Sequence, residues 1–191
     1  MIGLTSSRDE ASRALAAWLS GPRAPSLAPS TTGPLVLFLC HSNTALSIMA
    51  EAILRHLAQE RVRAASAGYS VADRVNSQAL ECLRTHGLAT EGLKSKAWGQ
   101  FFGLYRPTVR LVITLGDVYV AKARWPRDTQ IANWKMPDPA DVVGSEVDVR
   151  VAFEKAFGTL DLRIRKFLAL PLGQLKGRAL VQELERIGEA S

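Results

Sequence analysis

The feature that most constrains this sequence is a short polar loop between an apolar run and a helix-like segment. Residues 35–39 are all apolar, Cys40 ends the run, and Met49, Ile53 and Leu57 recur at helical spacing after the loop. This order predicts a buried β-strand, a tight loop and an α-helix. Backbone N–H groups at such a helix start form a nest for an anion and lower the pKa of a nearby thiol. Cys40 is therefore a candidate nucleophile.

The rest of the chain alternates strand-like and helix-like segments. Further strands are predicted just before Gly68, over 109–115 and near 129–133, and further helices over 75–86, 147–170 and 174–187. This alternation predicts an α/β fold whose parallel sheet is covered on both faces. In such folds ligands bind beyond the carboxyl ends of the strands, which is where Cys40 is expected to lie.

The N-terminal segment is predicted to be an appendage of this α/β domain. Residues 7–19 have the apolar stripe and the capping residue of a short amphipathic helix. Residues 20–34 hold four prolines among small and polar residues, which is typical of a linker. The chain is thus predicted to consist of an N-terminal helix and Pro-rich linker, residues 1–33, and an α/β domain, residues 34–191.

Composition and charge exclude several classes of protein. No apolar stretch approaches the length of a membrane span and no secretory signal is recognisable, so a cytoplasmic protein with no membrane contact is expected. The net charge of +6 is concentrated between residues 61 and 135, which hold 12 Lys and Arg against 5 Asp and Glu. Such a region attracts small oxyanions or acidic partners, or is simply a solvated surface. Its basic residues are scattered and no binding module accompanies them, so nucleic-acid binding is not expected.

The two cysteines, Cys40 and Cys82, are too few for a disulfide framework. Neither is judged to have the spacing of a metal ligand relative to His41, His56 or His86, so no metal and no cofactor is expected. Cys82 lies on a predicted helix, where core packing is its expected role.

The loop resembles the catalytic loop of the low-molecular-weight protein tyrosine phosphatase superfamily, and its flanks are most similar to the thioredoxin-coupled arsenate reductases of that superfamily. The family loop consists of Cys, five residues, Arg and Ser. This chain has at those positions Cys40, His41, Ser42, Asn43, Thr44, Ala45, Leu46 and Ser47. The resemblance covers roughly residue 34 to the C-terminus, and it implies a three-layer α/β fold with a four-stranded parallel sheet.

The resemblance also implies roles for individual residues. Cys40 would be the nucleophile, Asn43 would brace the loop through its side chain, and Ser47 would hydrogen-bond the thiolate. Asp138, the first residue of an Asp-Pro pair, matches the family's general acid, which protonates the leaving oxygen. Residues His41 to Ser47 would form an oxyanion loop that binds phosphate, arsenate or a phosphoester anion.

Three departures from the family pattern weigh against its chemistry. Leu46 replaces the arginine whose fork of donors stabilises the charge that develops on the oxyanion. Ser42 replaces the usual glycine, which is expected to strain a loop that needs positive φ. The two further cysteines through which the reductases pass oxidation are also missing, because Gly116 and the region of Ala123 and Arg124 hold no thiol.

Two hypotheses of function remain open. The first, which we favour, is an arsenate reductase-like or phosphatase-like protein with a degenerate oxyanion loop, weakly active or inactive, that binds oxyanions or a protein partner. The second is an active Cys40-dependent phosphatase, or an arsenate reductase that uses an external thiol. The sequence predicts neither an oligomeric state nor a particular partner.

Overall fold

The computed structural model describes residues 35–58, 62–102, 109–118, 120, 125–172 and 174–189. The predicted N-terminal helix over 7–19 and the linker over 20–34 lie outside the described residues. The division of the chain between residues 33 and 34 therefore stays a prediction.

Four parallel strands form one sheet in the order β2-β1-β3-β4. The strands are β1 (Leu35–Cys40), β2 (Arg63–Gly68), β3 (Val109–Leu115) and β4 (Gln130–Trp134). All six residues of β1 are buried. Because β1 has a strand on each side and packing on both faces, its sequence is continuously apolar. The α/β class and the four-stranded parallel sheet expected from the sequence are confirmed.

Four α-helices connect or follow these strands in the described residues. They are α1 (Leu46–Ala58), α2 (Ser77–Thr85), α3 (Glu146–Ala169) and α4 (Gly177–Glu189), and two 3₁₀ helices span Trp98–Phe101 and Pro139–Asp141. No helix within the described ranges combines the length and the apolarity that a membrane span requires.

Local hydrogen bonds fix where two of these helices begin. The side chain of Asn76 accepts hydrogen bonds from the backbone N–H groups of Gln78 and Ala79 and so caps α2. Ser145 and Asp148 form a reciprocal capping box at the start of α3. The helix predicted from residue 75 therefore starts at residue 77, after its cap.

Both faces of the sheet are covered, but by different kinds of structure. Val36 and Phe38 of β1 pack into the main hydrophobic cluster, to which all four helices contribute, while Leu35, Leu37 and Leu39 point to the opposite face. That second face is covered largely by aromatic side chains from outside the four helices, Tyr69, Trp98, Phe101, Phe102 and Trp125.

The buried face of α3 agrees only in part with the one that apolar periodicity predicts. That periodicity places Val151 and Ala152 in the apolar stripe, but Val151 is 59% exposed and Ala152 is only partly buried. The buried residues of the helix are Phe153, Ala156, Phe157, Leu160, Arg163, Ile164 and Phe167. These residues recur at intervals of three and four, so they share one helix face, and Val151 lies on the other side.

Helix α4 packs against the backbone of β4 with almost no space between them. Trp134 donates a hydrogen bond from Nε1 to the carbonyl oxygen of Leu184 at 2.8 Å. A Cβ atom on Gly188 would lie 2.6 Å from the carbonyl oxygen of Asn133 and 2.7 Å from Cδ1 of Trp134. The helix, predicted to end near Gly188, continues to Glu189, and Gly188 is instead a point of contact.

Replacing Gly188 with alanine is expected to destabilise the protein by about 1–3 kcal/mol, because the added methyl group overlaps the backbone of β4. Gly158→Ala is the matched control, since Gly158 also lies within a helix and a Cβ there meets nothing within 4 Å. That change should be neutral or should stabilise the protein by up to about 1 kcal/mol. Urea unfolding followed by circular dichroism measures both, and equal effects would contradict the close packing of α4.

Candidate functional site

The candidate site lies where the central strand of the sheet ends. Cys40 is the last residue of β1, residues 41–45 form the loop, and α1 begins at Leu46. The unpaired N–H groups of the first turn of α1 therefore point back toward the end of β1. This arrangement matches the strand, loop and helix predicted from the sequence, and its helix start favours an anion.

Asn43 holds the loop in shape. Its backbone N–H donates to Sγ of Cys40 at 3.2 Å, and its side-chain Nδ2 donates to Oγ of Ser47 at 2.8 Å. Its Oδ1 accepts a hydrogen bond from the backbone N–H of Lys96 at 2.7 Å, and its carbonyl oxygen accepts one from Oγ of Ser95 at 2.9 Å. The side chain is fully buried. A bracing role for Asn43 is consistent with these contacts.

The positive φ of the loop falls on Asn43, at 54°, and not on Ser42. The prediction that Ser42 strains the loop is therefore wrong. Asparagine tolerates the left-handed region better than most residues, because its short polar side chain bonds locally. The Oγ atom of Ser42 lies 2.9 Å from Oγ1 of Thr44, which is within hydrogen-bond distance.

The thiol of Cys40 is buried within this network. Its Sγ lies 2.8 Å from Oγ of Ser47, and the residue is only 2% exposed. Burial raises the pKa of the Cys40 thiol, and the hydrogen bonds from Ser47 and Asn43 only partly oppose that shift. The structure thus brings Cys40, Asn43 and Ser47 together as expected, but around a thiol that favours its neutral form.

The Asp138 carboxylate contributes, after burial, to the raised pKa of Cys40. The Asp138 side chain also accepts a hydrogen bond from the backbone N–H of Ala140 at 3.0 Å, which caps the short 3₁₀ helix. Burial raises the pKa of Asp138 itself, and the charge of Asp141 adds to the shift. A carboxyl group with a raised pKa holds its proton at higher pH, as a general acid requires.

Leu46 does not project into the site as a donor would. It is the first residue of α1, it is 1% exposed, and it belongs to the main hydrophobic cluster. Among the groups that shift the pKa of Cys40, the one charge is the Asp138 carboxylate, and no cation of the described chain contributes. The side chain of His41 is exposed, and its carbonyl oxygen accepts a hydrogen bond from the N–H of Ser70.

The other loop residues tie the loop to its surroundings through their backbone. The carbonyl oxygen of Thr44 accepts a hydrogen bond from the N–H of Asn76, the residue that caps α2, at 3.0 Å. The carbonyl oxygen of Ala45 accepts one from Met49 at 2.9 Å, within the first turn of α1. The loop is therefore fixed to two helices as well as to β1.

The end of β2 approaches the loop so closely that only glycine fits there. A Cβ atom on Gly68 would lie 2.8 Å from the backbone nitrogen of Asn43 and 2.9 Å from the carbonyl oxygen of His41. The backbone of Gly68 therefore forms one side of the loop's support.

A buried ion-pair cluster behind the loop was not predicted. Glu51, on the buried side of α1, is fully buried and pairs with Arg55 and, at 3.1 Å, with Nζ of Lys96. The hydroxyl group of Ser66 also donates to Glu51. Glu51 lies one helical turn after Ser47 and therefore on the same, core-facing side of α1. An acidic residue at such a position indicates a buried partner, and this was the signal available in the sequence.

Lys96 connects this cluster to the loop. Its ammonium group forms an ion pair with Glu51, while its backbone N–H donates to Oδ1 of Asn43. The one residue thus supports the loop through the backbone and balances the buried charge through the side chain.

The second cysteine contacts a different part of the fold. Cys82 Sγ lies 3.7 Å from the carbonyl oxygen of Phe153 on α3, and both cysteines are free. Gly116, which stands where the reductases have a redox cysteine, follows β3 with a φ of 75°. Residues 123 and 124 lie outside the described part of the chain.

The fold described above resembles that of known proteins. The family model described as low molecular weight phosphotyrosine protein phosphatase matches residues 35–179. An arsenate reductase from Archaeoglobus fulgidus is 26% identical with a TM-score of 0.52, and the match covers 68% of this chain and 98% of that one. None of the curated protein sequences matches significantly.

Two further solved structures share the fold at lower identity. An arsenate reductase in its phosphate-binding state is 23% identical with a TM-score of 0.59, over 71% of this chain and 97% of that one. The tyrosine phosphatase Wzb from Escherichia coli, in complex with sulphate, is 15% identical with a TM-score of 0.54, over 71% and 96%. Neighbours of this fold thus include both reductases and phosphatases.

Lys96→Met is expected to destabilise the protein by about 1–3 kcal/mol, because it leaves the buried Glu51 carboxylate with fewer partners. Lys94→Met removes an exposed charge two residues away and should change stability by less than about 0.5 kcal/mol. Thermal and urea unfolding measure both variants. A Lys96→Met protein as stable as the parent would show that the ion pair contributes nothing to the support of the loop.

Proposed function

The chain belongs to the low molecular weight phosphotyrosine protein phosphatase family, and from this premise we propose that it binds phosphate-like oxyanions at residues 40–47 and transforms them slowly or not at all. The observation that carries the proposal is the burial of Leu46 in the hydrophobic core, at the loop position where the family has its arginine. In this proposal the protein is cytoplasmic, and the loop serves mainly to bind an oxyanion or a partner that presents one.

Binding is supported by what the loop retains. The left-handed Asn43 and the start of α1 give a concave backbone arrangement of the kind that holds tetrahedral anions. Proteins that share this fold are known with phosphate and with sulphate bound, as in the reductase in its phosphate-binding state and in Wzb. The excess of basic residues between 61 and 135 adds a favourable field for such anions.

Weak catalysis follows from what the loop lacks. Loss of a single oxyanion donor lowers the rate by about 100-fold to 1,000-fold. An arginine that stabilises a transferring phosphoryl group contributes about 1,000-fold to 100,000-fold. Leu46 offers no donor, and the raised pKa of Cys40 reduces the fraction of thiolate at neutral pH. Both effects act against the attack of Cys40 on phosphorus or arsenic.

A second candidate function is a slow enzyme that works through Cys40 and Asp138. It is favoured by the intact contacts of the thiol with Ser47 and Asn43 and by the position of Asp138. As a phosphatase, Cys40 would bond to phosphorus and displace the leaving oxygen, Asp138 would give that oxygen its proton, and water would then hydrolyse the phosphocysteine. As an arsenate reductase, the two electrons would come from the Cys40 thiol and one external thiol, which would end joined in a mixed disulfide.

Leu46→Arg is expected to raise the hydrolysis of p-nitrophenyl phosphate by about 100-fold over a barely measurable parent rate, because it restores donors to the transition state. Leu46→Met keeps an apolar side chain of similar volume and should leave the rate unchanged. Cys40→Ser should abolish whatever rate the parent has. Circular dichroism checks that each variant is folded.

Two results would reverse the conclusion. Brisk turnover by the parent that Cys40→Ser removes would establish the second candidate function. A folded Leu46→Arg variant with no gain in rate would show that the missing arginine is not what limits the site. Arsenate reduction measured with thioredoxin and with small thiols separates the reductase from the phosphatase.

Alkylation of Cys40 by iodoacetamide is expected to be slow near neutral pH and to speed up about tenfold per pH unit through the alkaline range, because only the thiolate reacts. The rate rises with pH because the raised pKa of this thiol keeps it protonated at neutral pH. Mass spectrometry of the modified peptide separates Cys40 from Cys82. Rapid modification at pH 6 would contradict a buried, neutral thiol.

A further inference from the structure

A second group of reactive side chains lies between α2 and α3 and is not part of the loop. Cys82 is on α2, His86 is the C-terminal capping residue of that helix, and Glu154 is on α3. One ligand atom from each, the Cys82 sulfur, an imidazole nitrogen and a carboxylate oxygen, lies within 4.8 Å of both others. Neither the oxyanion loop nor the proposed function uses any of these three residues.

The three side chains are held in place by packing. The His86 ring stacks on Phe157, with ring centroids 3.8 Å apart and an interplanar angle of 9°. Its Nε2 lies 2.7 Å from Oε2 of Glu154. The Cys82 sulfur is fixed by its contact with the carbonyl oxygen of Phe153. A site whose ligands are already oriented loses less entropy when it binds an ion.

The group combines types of ligand that occur together in metal sites. Thiolate sulfur, imidazole nitrogen and carboxylate oxygen together are typical ligands of Zn²⁺, and three protein ligands leave a fourth position for water. Burial and the neighbouring Glu154 carboxylate raise the pKa of Cys82 to about 12. The negative charge of Glu154 thus repels a thiolate at Cys82. A divalent cation offsets this repulsion, because it attracts both the thiolate and the carboxylate.

We propose that Cys82, His86 and Glu154 bind Zn²⁺ or a similar divalent transition metal, with one coordination position open to solvent. Cys82 is 5% exposed, whereas the side chains of His86 and Glu154 are 36% and 41% exposed, so the ion enters from their side. Binding forms a bond from the metal to each ligand atom, and the thiol proton of Cys82 leaves to solvent. The hydrogen bond between His86 and Glu154 breaks.

The movement that this requires is small. Tetrahedral Zn²⁺ with bonds of about 2.0–2.3 Å sets its ligand atoms roughly 3.3–3.7 Å apart. The imidazole nitrogen and the carboxylate oxygen, which are 2.7 Å apart, therefore separate slightly, and the sulfur already lies within 4.8 Å of both. The sequence signal for the site was incomplete, because Cys82 and His86 lie four residues apart on one helix face, but the third ligand lies far along the chain.

The test uses the full chain with Cys40→Ser, so that Cys82 is the only thiol, and Co²⁺ as the probe. One equivalent of Co²⁺ should give near-ultraviolet absorption from thiolate-to-metal charge transfer, and added Zn²⁺ should remove it. Cys82→Ser should abolish the band. His86→Phe keeps a ring to stack on Phe157, and Glu154→Gln keeps a hydrogen-bonding group. Each of these two changes removes a ligand. It should therefore weaken Co²⁺ binding by more than the roughly 10-fold to 100-fold loss that follows when a residue hydrogen-bonded to a metal ligand is replaced.

His56→Ala is the matched control, because His56 is an exposed histidine on α1 and should leave Co²⁺ affinity unchanged. Zn²⁺ should also raise the melting temperature of the parent and not that of Cys82→Ser, since the ion links α2 to α3. Failure to see the band in folded protein would overturn the proposal. A band that persists in Cys82→Ser, or one that His56→Ala weakens as much as His86→Phe does, would overturn it as well.

Discussion

The site depends on the hydrogen bonds of one buried asparagine, Asn43. Asn43 bonds to the thiol of Cys40, to Ser47 at the start of α1, to the hydroxyl group of Ser95 and to the backbone N–H of Lys96. A residue with these bonds stays in the left-handed region because the alternative leaves several buried polar groups unpaired. The orientation of the thiol, the start of the helix and the position of the neighbouring segment are thus set by the same residue, through its backbone and its side chain together.

Much of this arrangement could be predicted because it is local or periodic. The apolar run before Cys40, the polar loop and the helical spacing after it define β1, the loop and α1, and the remaining alternation of strands and helices requires a parallel sheet. What escaped prediction depends on contacts between distant segments. Glu51, Ser66 and Lys96 meet only in the folded chain. Likewise the positive φ could be assigned to Asn43 and not to Ser42 only once the loop was seen in place.

In the function that we propose, the loop combines a retained scaffold with a changed reactive centre. Its bracing residue, its serine and its cysteine occupy one connected network, and Asp138 acts electrostatically on the same thiol. The residue that would supply a fixed positive charge is a core leucine. Because no cation of the described chain offsets burial, the pKa of Cys40 is raised, whereas a strand-to-helix loop alone predicts a lowered one. Desolvation outweighs the favourable hydrogen bonds here.

The close approach of Gly68 makes one side of the loop depend on contacts between main chains. The wall beneath Asn43 and His41 is main chain, and it admits no side chain of any kind. One side of the loop is accordingly set by the paired backbones of β1 and β2, so a side chain added at that point cannot leave the loop undisturbed. Any larger residue at position 68 would have to push the main chain of Asn43 and His41 aside, and the Cys40 thiol would then lose the N–H donor that Asn43 directs at it.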